Sequence, residues 1–192
     1  MRLRSRYLRI FGLCVLLGPL TACVGYVWTG ATLFYDRHNL FKKADDFKLS
    51  TSASYEIFKN SELRCEGCVV DVTTFNADLL VSGHVPNQGL KNLLDSRLRT
   101  IHHYRHIYNE VIVAHLESDT WYDTWITSKV RSHILSDDSI DPNPFKIVTT
   151  DGVVYVMGEM EEHQARRLAH LIAEVPGVLK VVTLLKTYRY KS

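Results

Sequence analysis

Two stretches of the chain carry the same pattern of apolar and polar positions. FNADLLVSGHV (75–85) and TDGVVYVMGEM (150–160) align without a gap, with Gly83 on Gly158, and in each a polar turn leads into an apolar strand. The surrounding periodicities recur in the same order. The first copy predicts a helix near 47–60, strands near 68–74 and 78–84, a helix near 87–103 with Leu90, Leu94, Leu98 and Ile101 on one side, and a strand near 107–115. The second predicts an opening helix at 122–135, strands near 145–150 and 153–158, a helix near 161–174 with Ala165, Leu168, Ala169 and Ile172 on one face, and a strand near 178–187. Each unit is α-β-β-α-β. A hairpin followed by a right-handed crossover gives a three-stranded mixed sheet with both helices on one face, so the fold class is α+β.

These units, 46–116 and 117–190, are each about 70 residues, near the lower limit for an independent core, and are therefore expected to touch. The short join LESDTWYD supports that. Residues 23–45 mix glycine and aromatics without a sustained period and read as a membrane-proximal tether.

Ahead of the tether, MRLRSRYLR supplies four arginines and no acid, IFGLCVLLGPL is apolar but too short to span a bilayer, and LTAC closes the segment. This is an export signal over residues 1–22. Leu20-Thr21-Ala22-Cys23 resembles the lipobox of bacterial lipoproteins, which implies cleavage before Cys23 and acylation of that residue. Multiple acyl chains, palmitate among them, would tether the chain essentially permanently. In such lipoproteins Asp after the cysteine tends to retain the protein at the inner membrane. Val24 stands here, so outer-membrane sorting is expected. Of 23 Lys and Arg against 21 Asp and Glu, four arginines leave with the signal, which makes the mature chain −2 with histidine neutral. Composition therefore gives no support to nucleic acid or a strongly anionic surface as a general partner.

GVVYVMGEM, the later small and apolar positions and VPGVLKVV together resemble a BON domain, and the chain from Cys23 through VTTFNADLLVSGHVPN, IYNEV, DTWITSKVRS and KIVTTDGVVYVMGEM is similar to the dual BON-domain outer-membrane lipoproteins of Gram-negative bacteria. The resemblance implies a non-enzyme that faces the periplasm, binds anionic phospholipid through the opening helix of the second BON unit, supports outer-membrane integrity and is recruited to cell division sites. Two departures fall in the first unit. Asn76-Ala77 occupies the hairpin where Asp151-Gly152 stands in the second, which predicts a different turn type because alanine resists positive φ. IHHYRHIYNE also lacks the glycine that Pro176-Gly177-Val178 keeps before the last strand.

The opening helix of the second unit supplies the candidate site. With Ile126 as origin, Val130 and Ile134 fall at about 40° and 80° and form a core stripe, while Trp121, Trp125, Ser128 and Ser132 gather between about 200° and 260°. Lys129 lies beside them. Indole favours the headgroup region, and small serines let a flat surface approach, so Trp121, Trp125, Ser128, Lys129 and Ser132 are the expected phospholipid-binding residues. The competing reading places Trp125 over the seam between the units. Should Asp123 cap the helix, Trp121 precedes it and leaves the wheel.

RCEGC (64–68) contains a C-x-x-C pair. Cys68 leads into a strand rather than a helix, which argues against a redox site. His84, His102, His103 and His106 lack diagnostic spacing and read as polar surface residues, so no metal or other cofactor is expected. Cys65–Cys68 is the candidate disulfide, structural in the oxidising periplasm. No catalytic constellation stands out. Asp137, Asp138, Glu161 and Glu162 sit at helix edges, Asp151 sits in a turn, and no phosphate loop or nucleophile elbow occurs. Two functions remain: a phospholipid-binding lipoprotein, or a protein-binding adaptor docking on an envelope assembly machine.

Overall fold

The computed structural model describes residues 37–188. The signal, Cys23 and most of the tether lie outside the described residues. Helix α1 spans Arg37–Phe58, followed by strands β1 (Val69–Phe75) and β2 (Asp78–Val85), helix α2 (Gln88–Leu98) and strand β3 (His106–Val113). The second repeat has helix α3 (Thr120–Leu135), strands β4 (Phe145–Thr150) and β5 (Val153–Glu161), helix α4 (Glu162–Ala173) and strand β6 (Lys180–Tyr188). The fold is α+β with two three-stranded mixed sheets, ordered β1-β2-β3 and β4-β5-β6. In each the first pair is antiparallel, closing at Phe75↔Asp78 and Thr150↔Val153, and the second is parallel, opening at Asp78↔His106 and Val153↔Lys180.

Helix α1 begins ten residues ahead of the predicted helix, so the last nine residues of the stretch read as a tether are helical. Helix α2 stops five residues short of its predicted end. The turn that follows still delivers Ile101 to the core, and His103 there takes a φ of 64°. His103 stands where Gly177, at φ 97°, precedes β6. The missing glycine is thus replaced by a strained histidine rather than by a different path.

The two hairpins also share one shape. Asn76 and Ala77 have φ of 50° and 62°, and Asp151 and Gly152 have 53° and 71°, so the expected difference in turn type is not found. A carboxylate anchor explains why alanine is held there. Asp46 of α1 accepts from the backbone N–H of Asn76 at 2.9 Å and of Ala77 at 2.7 Å. Asp123 of α3 accepts from Asp151 and Gly152, both at 2.8 Å. A left-handed alanine costs about 1–2 kcal/mol, which two charge-assisted hydrogen bonds of this kind offset.

Helix α1 buries Leu49, Ala53 and Ile57, and α3 buries Ile126, Val130 and Ile134, each series at a four-residue step. These residues meet Leu79, Val81 and Val85 in one repeat and Val154, Val156 and Met160 in the other. The intervening residues of the central strands are buried as well, because the sheets pack on each other through their helix-free faces. Leu80, Tyr155 and Met157 form that seam, with Phe75, Tyr108, Val153, Val182 and Leu184 around them. The repeats belong to one compact unit beginning at Phe41, as the expectation of contact required.

The seam carries polar links at its border. Ser82 Oγ lies 3.0 Å from Thr150 Oγ1, which donates to Asp71 at 3.1 Å. Burial raises the Asp71 carboxyl above its ordinary range, and it also pushes Tyr155 up to about 12. His84, read from sequence as a surface residue, is fully buried, with Nδ1 2.7 Å from Asp151 Oδ2. Position 84 lies on β2's second buried face, which the single-repeat pattern does not reveal.

Candidate membrane-contact face

Helix α3 starts at Thr120 because Asp119, not Asp123, caps it: Asp119 Oδ1 accepts from Trp121 N and Tyr122 N, both at 3.0 Å. Trp121 therefore lies in the first turn, on the wheel with Trp125. Asp123 is turned inward to the 151–152 hairpin. The two carboxylates four residues apart have separate roles, and only the tertiary partner of Asp123 distinguishes them.

Trp121 is 86% exposed and Trp125 42% exposed. Tyr122 stacks on Trp125 with centroids 5.3 Å apart and planes 19° from parallel. Lys129 Nζ sits 4.3 Å from the centroid of the Trp125 ring, a cation–π contact that keeps an ammonium beside the indole. The ring's inner edge rests on the loop before β6: a β-carbon at Gly177 would lie 3.2 Å from Trp125 Cζ3 and 2.7 Å from Tyr122 Oη. The indole is braced from beneath and open above.

Ser128 Oγ donates to Thr124 O at 2.9 Å, and Thr124 Oγ1 donates to Thr120 O at 2.8 Å. These hydroxyls satisfy their donors within the helix, so the face loses few water contacts when covered. Ser132 is exposed on the same side. The five expected residues are thus brought to one helix face. Leu179, 79% exposed, stands two residues beyond Gly177, with its side chain over the Gly152 turn. Sequence reasoning missed it because Leu179 falls at the start of a strand and reads there as core. The competing seam role for Trp125 is not observed, since the seam lies across the sheet from α3 and is built from Leu80, Tyr155 and Met157.

Cys65 and Cys68 are joined, with Cα atoms 5.1 Å apart, in the loop between α1 and β1. Among the described residues no group of three histidine, cysteine or acidic side chains is placed to hold a metal ion, and no helix is long and apolar enough to cross a membrane. Three of the acids at the helix edges, Asp137, Glu161 and Glu162, have partners. Asp137, drawn down to about 2 by Arg167 and Ser139, ties the end of α3 to α4, and Glu162 pairs with Arg166.

Residues 122–187, which begin inside α3 and end with β6, match the BON domain. The match covers most of the second repeat, and the first repeat shares that repeat's element order, hairpin anchor and strand register. The chain is similar to the outer membrane lipoprotein DolP of Haemophilus influenzae, 26% identical over 183 residues that cover 91% of this chain and 94% of that one. It is also 24% identical over 145 residues to a 21 kDa hemolysin of Actinobacillus pleuropneumoniae, with 74% of each covered. Neither relative bears an enzyme's name. Among solved structures, CdsD, a structural protein of the Chlamydia trachomatis type III secretion system, aligns at 14% identity and a TM-score of 0.31, covering 76% of this chain and 65% of that one.

Proposed function

We propose that this chain is a lipoprotein anchored through acylated Cys23 to the periplasmic side of the outer membrane, where α3 binds anionic phospholipid and the protein supports envelope integrity. The observation that carries the reading is the pair of open indoles on a helix face whose hydroxyls are already satisfied. Such a face enters the headgroup layer with little desolvation, and Trp125 arrives with Lys129 beside it. The similarity to a protein named an outer membrane lipoprotein supports the location.

Flotation with phosphatidylglycerol-containing vesicles tests it, using protein whose Cys23 is replaced by serine so that the anchor does not mask the contact. Trp125→Ala is expected to weaken vesicle binding roughly tenfold, equivalent to ~1.4 kcal/mol, with the circular dichroism spectrum retained. Lys129→Gln removes about 1 kcal/mol of charge attraction, an effect confined to anionic vesicles. Flotation that Trp125→Ala leaves untouched means α3 is not the contact.

A further inference from the structure

A second feature of α3 lies on a different side from the indoles. A cavity of about 250 Å³ runs between the end of this helix and strand β4, lined by Ile134, Leu135, Phe145 and Ile147, with Arg131 and Lys146 among its walls. On the wheel of α3, Arg131 stands about 120° from Trp125, and the groove opens at the C-terminal end of the helix whereas the indoles stand in its first two turns. Leu135 is largely exposed at the rim although it ends a packed helix.

Among the described residues neither Arg131 nor Lys146 is in ion-pair contact with a carboxylate, and Lys146 Nζ donates only to the backbone carbonyl of Thr74, at 3.3 Å. Desolvation by the surrounding protein holds the Lys146 ammonium below the ordinary lysine range, and the charge of Arg131 pushes the same way against Asp46. The nearby acids are already engaged: Asp46 and Asp123 each hold a hairpin turn, and Asp71 accepts from Thr150. A pair of like charges at the rim of an apolar groove, neither in contact with a carboxylate, suits an anion that carries its own apolar body.

We propose that this groove holds a single-chain, phosphate-bearing lipid, such as a lysophospholipid, with its phosphate between Arg131 and Lys146 and its chain along Ile134, Leu135 and Phe145. At about 250 Å³ the groove takes a segment of one chain. The bilayer meets the indole face, whereas the groove takes a monomer.

Photolabelling maps the site directly. The full chain, held in phosphatidylcholine nanodiscs, is irradiated with a 12-carbon alkyl phosphate carrying a terminal diazirine, and adducts are located by peptide mass spectrometry. Adducts are expected on the 134–147 segment. They are expected to be displaced by dodecyl phosphate but not by equal concentrations of dodecyl maltoside or inorganic phosphate. The Arg131→Gln, Lys146→Gln double variant, both positions being exposed and dispensable for packing, is expected to lower labelling at least tenfold, and Lys146→Arg to restore it in part. Trp125→Ala leaves labelling unchanged even where it abolishes flotation, which separates this site from the indole face. Adducts spread over the chain, labelling indifferent to the double variant, or displacement equally by the maltoside or by inorganic phosphate would each overturn the proposal.

Discussion

Replacing Gly158 with alanine is expected to destabilise the second repeat by about 3 kcal/mol or more, the range reached when a glycine-only backbone conformation and a core strand are disturbed together. Gly158 has a φ of +150° and pairs with Phe145 at the start of β4. A β-carbon there would lie 2.2 Å from the Pro144 carbonyl oxygen and 2.7 Å from Phe145 Cα. Both are backbone atoms, so no side chain can rotate aside. The strand must move, and with it Phe145 and Ile147 leave the core. Pro144 O also accepts from Glu159 N at 3.1 Å, a bond the displaced strand loses. Gly83→Ala is expected to act alike in the first repeat, where the β-carbon would meet Val69 O at 2.1 Å and φ is +117°. Urea unfolding followed by circular dichroism measures both. A Gly158→Ala midpoint matching that of the wild type would show that β4 yields at no appreciable cost.

Arg105→Leu has the second large expected effect, about 3 kcal/mol, the lower end of the range for breaking a buried ion pair. Asp78, almost wholly buried at the start of β2, receives Arg105 Nε at 2.8 Å and His106 Nδ1 at 2.9 Å. Arg105 also pairs with Glu159 of the second repeat, so one guanidinium spans the seam. Leucine would leave Asp78 buried with the imidazole alone. Burial pushes the Asp78 carboxyl up, but the hydrogen bonds from Arg105 and His106 outweigh it and hold the group below its ordinary 3.8. The sign of the pH dependence follows. The stabilisation is full above the unfolded value and fades as pH falls through the lower folded value, because the unfolded chain takes up the proton first. Thermal unfolding at neutral pH and near pH 3 should therefore show the gap between wild type and Arg105→Leu narrowing in acid. A gap that widens on acidification rules out Asp78 as its source.

Arg105 also marks the limit of the internal repeat. Its N–H donates to Ala77 O at 2.7 Å just as Leu179 N donates to Gly152 O at 2.9 Å, so the two residues are structural equivalents. One became a bridge across the seam and the other an exposed apolar side chain. Backbone equivalence was legible from the alignment of Gly83 with Gly158. The divergence of the side chains was not, because each answers to a neighbour from another part of the chain.

The same division runs through the molecule. Periodicity alone determined that each repeat is α-β-β-α-β, that Ile126, Val130 and Ile134 face a core, and that Trp121, Trp125, Ser128 and Ser132 face away from it, since these depend only on the geometry of one helix or strand. Element ends were less legible: Asp119 and Asp123 are equally good caps in sequence, and the choice fell to Asp119 because the 151–152 hairpin claims Asp123. Burial of His84 and the shared turn geometry at Asn76-Ala77 were decided only by tertiary structure. Each requires a second sheet or a strand far along the chain to bring its partner within a few ångströms, and no local pattern encodes that distance.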